Sequence, residues 1–418
     1  MTLLFILDTV EYPLAPTPAL ARRVACLLAQ KGHSVHLLEL WDGQTPPPAA
    51  PGCTQHPLAF ADERQMNQAL EFGQAGGSPV PLRLARLAAH PAAALAAVRQ
   101  ILLKRPRRQS AARRAIQRLH GQYSFDAAIA VAAPYAGSFA LAAAAINCKK
   151  ISWQMDPYAA NQSYRAPGAW QTERRLLAAL DHVLAPPALA PYYAADGPLA
   201  GFAHKMQTLD FASLTPPPPV PSAGAAVSAS GRRRCVFVGS LYPQLRTPHF
   251  ALQLFSALND PGWELVFVGG GWQHYPPDLL QPYRAALGER LVVTGPLDKA
   301  QADACLAGAD VLLSLGNGVD NQVPSKLFEY FAAGKPILHL AKLACDPCLA
   351  YLDRWPLALC LQESEGLAPA VLARLAGFLQ QKGGQRLPFA AARSLFYQNT
   401  PEYAAQRIEA LLAAPRPG

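Results

Sequence analysis

Residues 317–340 read NGVDNQVPSKLFEYFAAGKPILHL, and this stretch decides how the chain is read. Pro324 and Ser325 open a helix directly after a strand and a loop; proline suits a first turn because the N–H it lacks has no intrahelical partner there. Leu327, Phe328 and Phe331 give the helix a core-facing side, and Gly334 ends it before the next strand. Lys326 and Glu329 stand three apart, on one face. A helix that starts at the carboxyl end of a sheet presents free N–H groups and a positive dipole end to an anion, and Lys326 adds a full charge. A carboxylate at Glu329 is a poor phosphate partner but accepts two hydrogen bonds from a vicinal diol such as a ribose. Phosphate and ribose together point to a nucleotide diphosphate. The plain alternative, which spacing leaves open, is an amphipathic helix with two exposed charges.

Outward from this stretch the chain alternates strands and helices. Thr2 to Leu7 is a continuous apolar run, as in a parallel strand covered on both faces. A Pro-rich loop, Tyr12 to Pro18, leads to a helix containing Leu20, Val24, Leu27 and Leu28, and Ser34 to Leu40 is the next strand. Further strands are expected at Ala127 to Ala132, Lys150 to Gln154, His182 to Ala185 and Met206 to Leu209. Leu214 to Gly231 (LTPPPPVPSAGAAVSASG) reads as a linker with nothing to bury. A second series follows, with strands near Cys235 to Gly239, Glu264 to Gly269, Leu291 to Thr294, Val311 to Leu315 and Pro336 to Leu340. The spacing predicts an α/β protein of two Rossmann-like doubly wound domains facing across a cleft: 1–213, a linker over 214–231, and 232–394. The final helix, Pro401 to Leu412 within about 395–418, suits either domain, including a return to the first.

The 418 residues suffice for two domains, and 51% hydrophobic against 16% charged residues excludes wholesale disorder. The net charge of +9 is concentrated: Phe72 to Phe125 holds ten Lys or Arg and no acid. Within it Arg99 to Arg118 interleaves eight cations with Ile101, Leu102, Leu103 and Ile116. One basic face is expected, able to dock on anionic lipid or to be simply solvated. Nucleic acid is not indicated, because no aromatic side chains interleave the run. Eight scattered cysteines read as reduced thiols, and Cys345-Asp-Pro-Cys348 as an ordinary loop, since no second ligand pair follows. No secretion signal is visible, and the apolar run Ile129 to Ile146 reads as strand, turn and Ala-rich helix. The expected location is the cytoplasm, with a peripheral position at the inner membrane face if the basic stretch docks there.

Residues 323–337, VPSKLFEYFAAGKPI, resemble the donor-binding signature of the GT-B glycosyltransferases, particularly family 4, the glycosyl transferases of group 1. Phe237-Val-Gly-Ser-Leu-Tyr with Arg246, Phe267-Val-Gly-Gly-Gly, and Val293-Thr-Gly-Pro-Leu with Ala309-Asp-Val-Leu-Leu are similar to other parts of that domain, in order. The resemblance implies a glycosyltransferase of the hexosyltransferase kind that moves a sugar from a nucleotide diphosphate donor to a hydroxyl, with retention and without a metal. No Asp-x-Asp is present to hold a divalent cation. It implies no cofactor beyond the nucleotide-sugar co-substrate. It makes Glu329 the ribose ligand, Arg246 and Lys326 the diphosphate clamp assisted by Ser325, and the Gly239 and Gly295 loops the surroundings of phosphate and base. Two departures stand out: Asn321 replaces a common Glu eight residues before Glu329, and Ser240 replaces a common basic residue after the first strand.

In the N-terminal half, Trp153-Gln-Met-Asp-Pro-Tyr158 ends a strand and places Asp156 where the family often has a catalytic or orienting polar residue; a turn Asp before Pro157 is the simpler reading. Thr17 reads as a helix cap. A glycan or lipid-linked acceptor, in bacterial surface polysaccharide or lipopolysaccharide assembly, suits the family and the basic stretch. A catalytically silent nucleotide-sugar-binding subunit and a GT-B nucleotide-sugar epimerase stay open.

Overall fold

The computed structural model describes residues 1–8, 16–41, 47–60, 108–161, 167–218 and 231–415. The chain divides into two compact units, Met1–Ala212 with Gln398–Gly418, and Ser213–Tyr397.

Among the described residues the first unit has seven strands: β1 (Thr2–Leu7), β2 (Ser34–Trp41), β3 (Cys53–Ala59), β4 (Ala127–Ala132), β5 (Lys149–Gln154), β6 (His182–Ala185) and β7 (Met206–Thr208). They pair in parallel in the order β3-β2-β1-β4-β5-β6-β7. Chain direction across the sheet therefore reverses between β1 and β4. Helix α1 (Pro16–Gln30) connects β1 to β2, residues 108–123 (α2) are helical, and α3 (Ala136–Ala142) follows β4. Continuous apolar strands are what a sheet covered on both faces requires, and β1 and β4 are buried along almost their whole length. Helix α1 begins at Pro16, which puts Thr17 inside the first turn and not at the cap.

The described end of the basic stretch is divided by its helix. Arg113, Arg114 and Arg118 are exposed, whereas Ala112, Ala115, Ile116 and Leu119 pack into the core. Arg108 is ion-paired with the buried Asp8 and lies over the Phe60 ring. Ile116 is therefore a core side chain and not an apolar contact for lipid; the expectation for residues 99–107 lies outside the described residues. Leu214 is also buried, so the Pro-rich segment begins anchored, and its part over 219–230 lies outside them.

The second unit has, among the described residues, six strands: β8 (Arg233–Val238), β9 (Trp263–Val268), β10 (Leu291–Gly295), β11 (Val311–Leu315), β12 (Ile337–Ala341) and β13 (Ala358–Gln362). All pair in parallel, in the order β10-β9-β8-β11-β12-β13. This sheet reverses between β8 and β11, where the carboxyl ends of two strands diverge and leave a crevice. Helix α4 (Lys326–Ala332) follows β11. It starts one residue after Ser325, whose side chain makes no cap hydrogen bond; the turn begins with Leu327 N–H donating to the Pro324 carbonyl at 3.0 Å.

The last helix, α5 (Pro401–Ala413), belongs to the first unit and packs on α1. Lys149 of β5 fixes its end: the buried ammonium donates to the carbonyls of Leu411, Leu412 and Ala414 at 2.8, 3.0 and 2.6 Å. Those carbonyls have no partner within the helix, and a cation is the favourable charge at a C-terminus. No helix among the described residues is long and apolar enough to cross a membrane.

Candidate active site

The candidate site is assembled at the switch point of the second sheet, from the loops that leave β8, β9, β10 and β11. The glycines that follow the first two strands interlock. Gly239 N–H donates to the Val268 carbonyl at 2.9 Å, and Gly269 N–H to the Gly295 carbonyl at 3.0 Å. At Gly269 the backbone has φ +131°, and a Cβ would fall 1.9 Å from the Gly239 carbonyl oxygen, so only glycine lets these chains approach. Gly239 and Gly295 are thus tied into one surface through Gly269.

Arg246 lies over that surface. The loop after β8 folds back on itself, with Tyr242 and Arg246 exchanging backbone hydrogen bonds of 2.9 and 2.7 Å. The turn returns the guanidinium to Gly239, where a Cβ would meet Nη1 at 3.8 Å. Its Nη2 donates to Asn317 Oδ1 at 2.8 Å, and Asn317 Nδ2 donates to the Gln322 carbonyl at 3.1 Å. Nε is buried and makes no hydrogen bond. Burial pulls the Arg246 pKa down from its ordinary value, while Tyr330, Cys348, Tyr242 and Asp346 act in the opposite direction. A desolvated cation with an unused donor is an arrangement that an anion would complete.

Helix α4 supplies the second charged group. Lys326 Nζ donates to Glu329 Oε2 at 2.7 Å, and Lys299 Nζ stands 3.8 Å from the same oxygen. Both Lys326 and Glu329 keep about a third of their side-chain surface, 31% and 35%, so the pair is open to a ligand. The helix is docked by its next residue: the buried Tyr330 hydroxyl accepts from Val238 N–H at 3.0 Å, at the end of β8. The helix that carries Lys326 and Glu329 is thus tied to the end of β8, the strand whose following glycine lies against Arg246. Ser325 stands at the start of the helix, half-buried, and Asn321 is buried in the loop before it.

Asp156 belongs to the first unit. It lies in the bend after β5, where its carbonyl accepts from the Tyr135 hydroxyl at 2.6 Å. Beside it, Gln154 is buried and receives the Tyr193 hydroxyl at 3.2 Å. Glu173 is also buried there and accepts from Ala159 N–H at 3.0 Å; burial pushes its carboxyl up to about 7, against the hydrogen bonds from Ala159 and Tyr158.

Two contributors are not singled out by sequence reasoning. Asn317 stood inside the quoted stretch as a loop residue, and nothing in its spacing signalled that it holds Arg246. Lys299 is separated from Glu329 by a whole strand and loop, so no local pattern joins them.

Two doubly wound parallel sheets, each with its own switch point, define a GT-B fold. Residues 232–346, within the second unit, match the family model described as "Glycosyl transferases group 1". Among the curated proteins none matches the sequence. Among solved structures the chain is similar to sucrose-phosphate synthase from Thermosynechococcus elongatus, at 14% identity and a TM-score of 0.60 with 98% of each chain covered. It is similar to a glycosyltransferase from Rickettsia africae, at 11% identity and a TM-score of 0.61, covering 98% of this chain and 97% of that one. A third is Anabaena Alr3699/HepE in complex with UDP and glucose, at 12% identity and a TM-score of 0.60 with 99% of each chain covered. At these identities the likeness concerns the fold.

Proposed function

We propose that this glycosyltransferase moves a sugar from a nucleotide diphosphate donor to a hydroxyl of a glycan or lipid-linked acceptor, with retention of configuration and without a catalytic metal. The observation that carries the reading is a desolvated Arg246 beside the glycine after β8, with the partly exposed Lys326–Glu329 pair on a helix tied to the end of that same strand. Negative charge grows on the diphosphate as the glycosidic bond breaks, and in this reading Arg246 and Lys326 oppose it. Such fixed groups contribute a few kcal/mol each, about 10²–10³ in rate. Glu329 accepts the ribose diol once Lys326 turns from it to phosphate, and the Gly239, Gly269 and Gly295 surface admits the nucleotide closely. Asn321, an amide in place of a carboxylate, offers a neutral hydrogen bond to the donor sugar. Asp156 is the acceptor-side polar group of this reading. UDP is the first nucleotide to try, because the Anabaena neighbour holds it.

The test is a thermal-shift panel of UDP, GDP, dTDP, ADP and CMP on wild type and Glu329→Ala, with EDTA present. At a hundred times its dissociation constant a ligand adds about 2.7 kcal/mol, a shift of several degrees. Stabilisation of the wild type by one nucleotide diphosphate, lost in the variant, supports the reading; no shift with any of them overturns it. Nucleotide binding without turnover of any donor sugar would favour the silent subunit. Peripheral membrane association through Arg113, Arg114 and Arg118 is checked by co-sedimentation with anionic and neutral vesicles.

A further inference from the structure

Beneath the Arg246–Asn317 contact lies a cluster of donor atoms that the proposed transfer reaction does not use. His339 of β12, with Asp346 and Cys348 from the loop that follows it, are all buried, and one donor atom from each lies within 4.8 Å of the others. His339 Nε2 faces Asp346 Oδ2 at 3.2 Å, and His339 Nδ1 faces Ser314 Oγ at 3.0 Å. Cys348 N–H donates to Asp346 Oδ1 at 2.9 Å. The loop can close this tightly because Gly316 has no side chain: a Cβ there would fall 2.3 Å from Asp346 Oδ2.

We propose that His339, Asp346 and Cys348 form a binding site for one borderline-soft divalent cation, zinc first, that pins the 342–348 loop under the donor site. Imidazole, carboxylate and thiolate are the three ligand types zinc takes, and mixed sets of them are selective against calcium and magnesium. The 3.2 Å between Nε2 and Oδ2 already matches the edge of a tetrahedron whose metal–ligand bonds are about 2.0–2.2 Å. Ser314 Oγ is placed to hold the second ring nitrogen, the orientation in which Nδ1–H is donated outward and the Nε2 lone pair is turned to the metal. With Asp346 ionised and Cys348 a thiolate, the dication is neutralised by these two ligands and adds no net charge beside Arg246. Binding releases the Cys348 proton to solvent. Cys345, three residues before Cys348 and exposed, is not a ligand.

The experiment uses the full chain, stripped with EDTA under reducing conditions and titrated with Co²⁺ and then Zn²⁺. One equivalent of Co²⁺ should bind with a sulfur-to-metal charge-transfer band, and Zn²⁺ should displace it. Cys348→Ser should abolish the band, Cys345→Ser should keep it, and Ser314→Ala should weaken binding about 10–100-fold, as loss of an outer partner does. Absence of a tight equivalent of either ion in wild type overturns the proposal, as does a band that survives Cys348→Ser or disappears in Cys345→Ser. If Cys348→Ser does not fold, the wild-type titration and Cys345→Ser still decide. The nucleotide panel reads a different ligand, so failure of either conclusion is seen separately.

Discussion

Arg246 Nη2 lies 2.8 Å from Asn317 Oδ1, which joins the loop after β8 to the loop after β11 across the switch point of the second sheet. The contact fixes a half-buried guanidinium, on a side chain that would otherwise sample many rotamers, in one place. The amide uses its other end on the Gln322 carbonyl, so the support is itself held.

Substitution of Arg246 therefore measures the clamp directly. Arg246→Ala should lower kcat for sugar transfer about 10²–10³-fold, and Arg246→Lys should restore only part of it, because an ammonium lacks the planar fork. Asn317→Ala keeps the charge and loses its placement, so a smaller fall is expected. Steady-state kinetics of the three variants would show this order. Wild-type kcat in Arg246→Ala would remove Arg246 from the chemistry.

Glu329 separates binding from stability. Its ion pair with Lys326 spans one helical turn at a partly exposed site, and such pairs contribute about 0.3–0.5 kcal/mol. Glu329→Ala should leave the denaturation midpoint nearly unchanged while weakening a nucleoside diphosphate more than inorganic pyrophosphate. Calorimetric titration of both ligands checks it. Equal losses would mean that Glu329 does not meet the ribose.

Glu173 should make the first unit less stable as pH rises. Its carboxyl ordinarily titrates at 4.5 and is pushed up to about 7 by burial, so between these values the folded state holds a proton that the unfolded state has released. Below 4.5 both states are protonated, and the full stability of the neutral group is present; it is lost through the window, on the order of 3 kcal/mol by pH 7. Urea midpoints at steps from pH 4.5 to 7.5 should fall in wild type and fall less in Glu173→Gln, whose amide oxygen can still accept from Ala159. Identical slopes would assign the pH dependence elsewhere.

Lys149→Met tests the anchor of the last helix. Three carbonyls lose a charged donor at a buried position, with an expected cost of about 2–3 kcal/mol in urea denaturation. Amide exchange in residues 401–413 should rise more than in β1. An unchanged exchange pattern would show the helix to be held by its apolar packing alone.

The continuous apolar runs made most of both sheets readable: β1, β4, β6 and β11 have the expected bounds. Strand β3 was not readable. Its sequence CTQHPLA is half-exposed and contains Pro57, which only an edge position tolerates, and β3 is the outermost strand of its sheet. At the site, Lys326 and Glu329 could be paired from sequence because a helix fixes neighbours three apart. Asn317 and Arg246 could not, because 71 residues separate them and only the folded loop brings them together. Cys348 was read with Cys345 as a spaced pair, yet its neighbours are His339 and Asp346; the loop turns one thiol inward and leaves the other in solvent.

The return of the last helix to β5 also sets an order of events during synthesis. The second unit, Ser213–Tyr397, is a continuous segment and can complete its core as it emerges. The first unit, although made earlier, stays open along α1 until residues 398–413 have been added. A stalled or truncated chain would therefore carry a finished second unit and a first unit not yet sealed along α1, whose apolar side chains would be at risk of self-association.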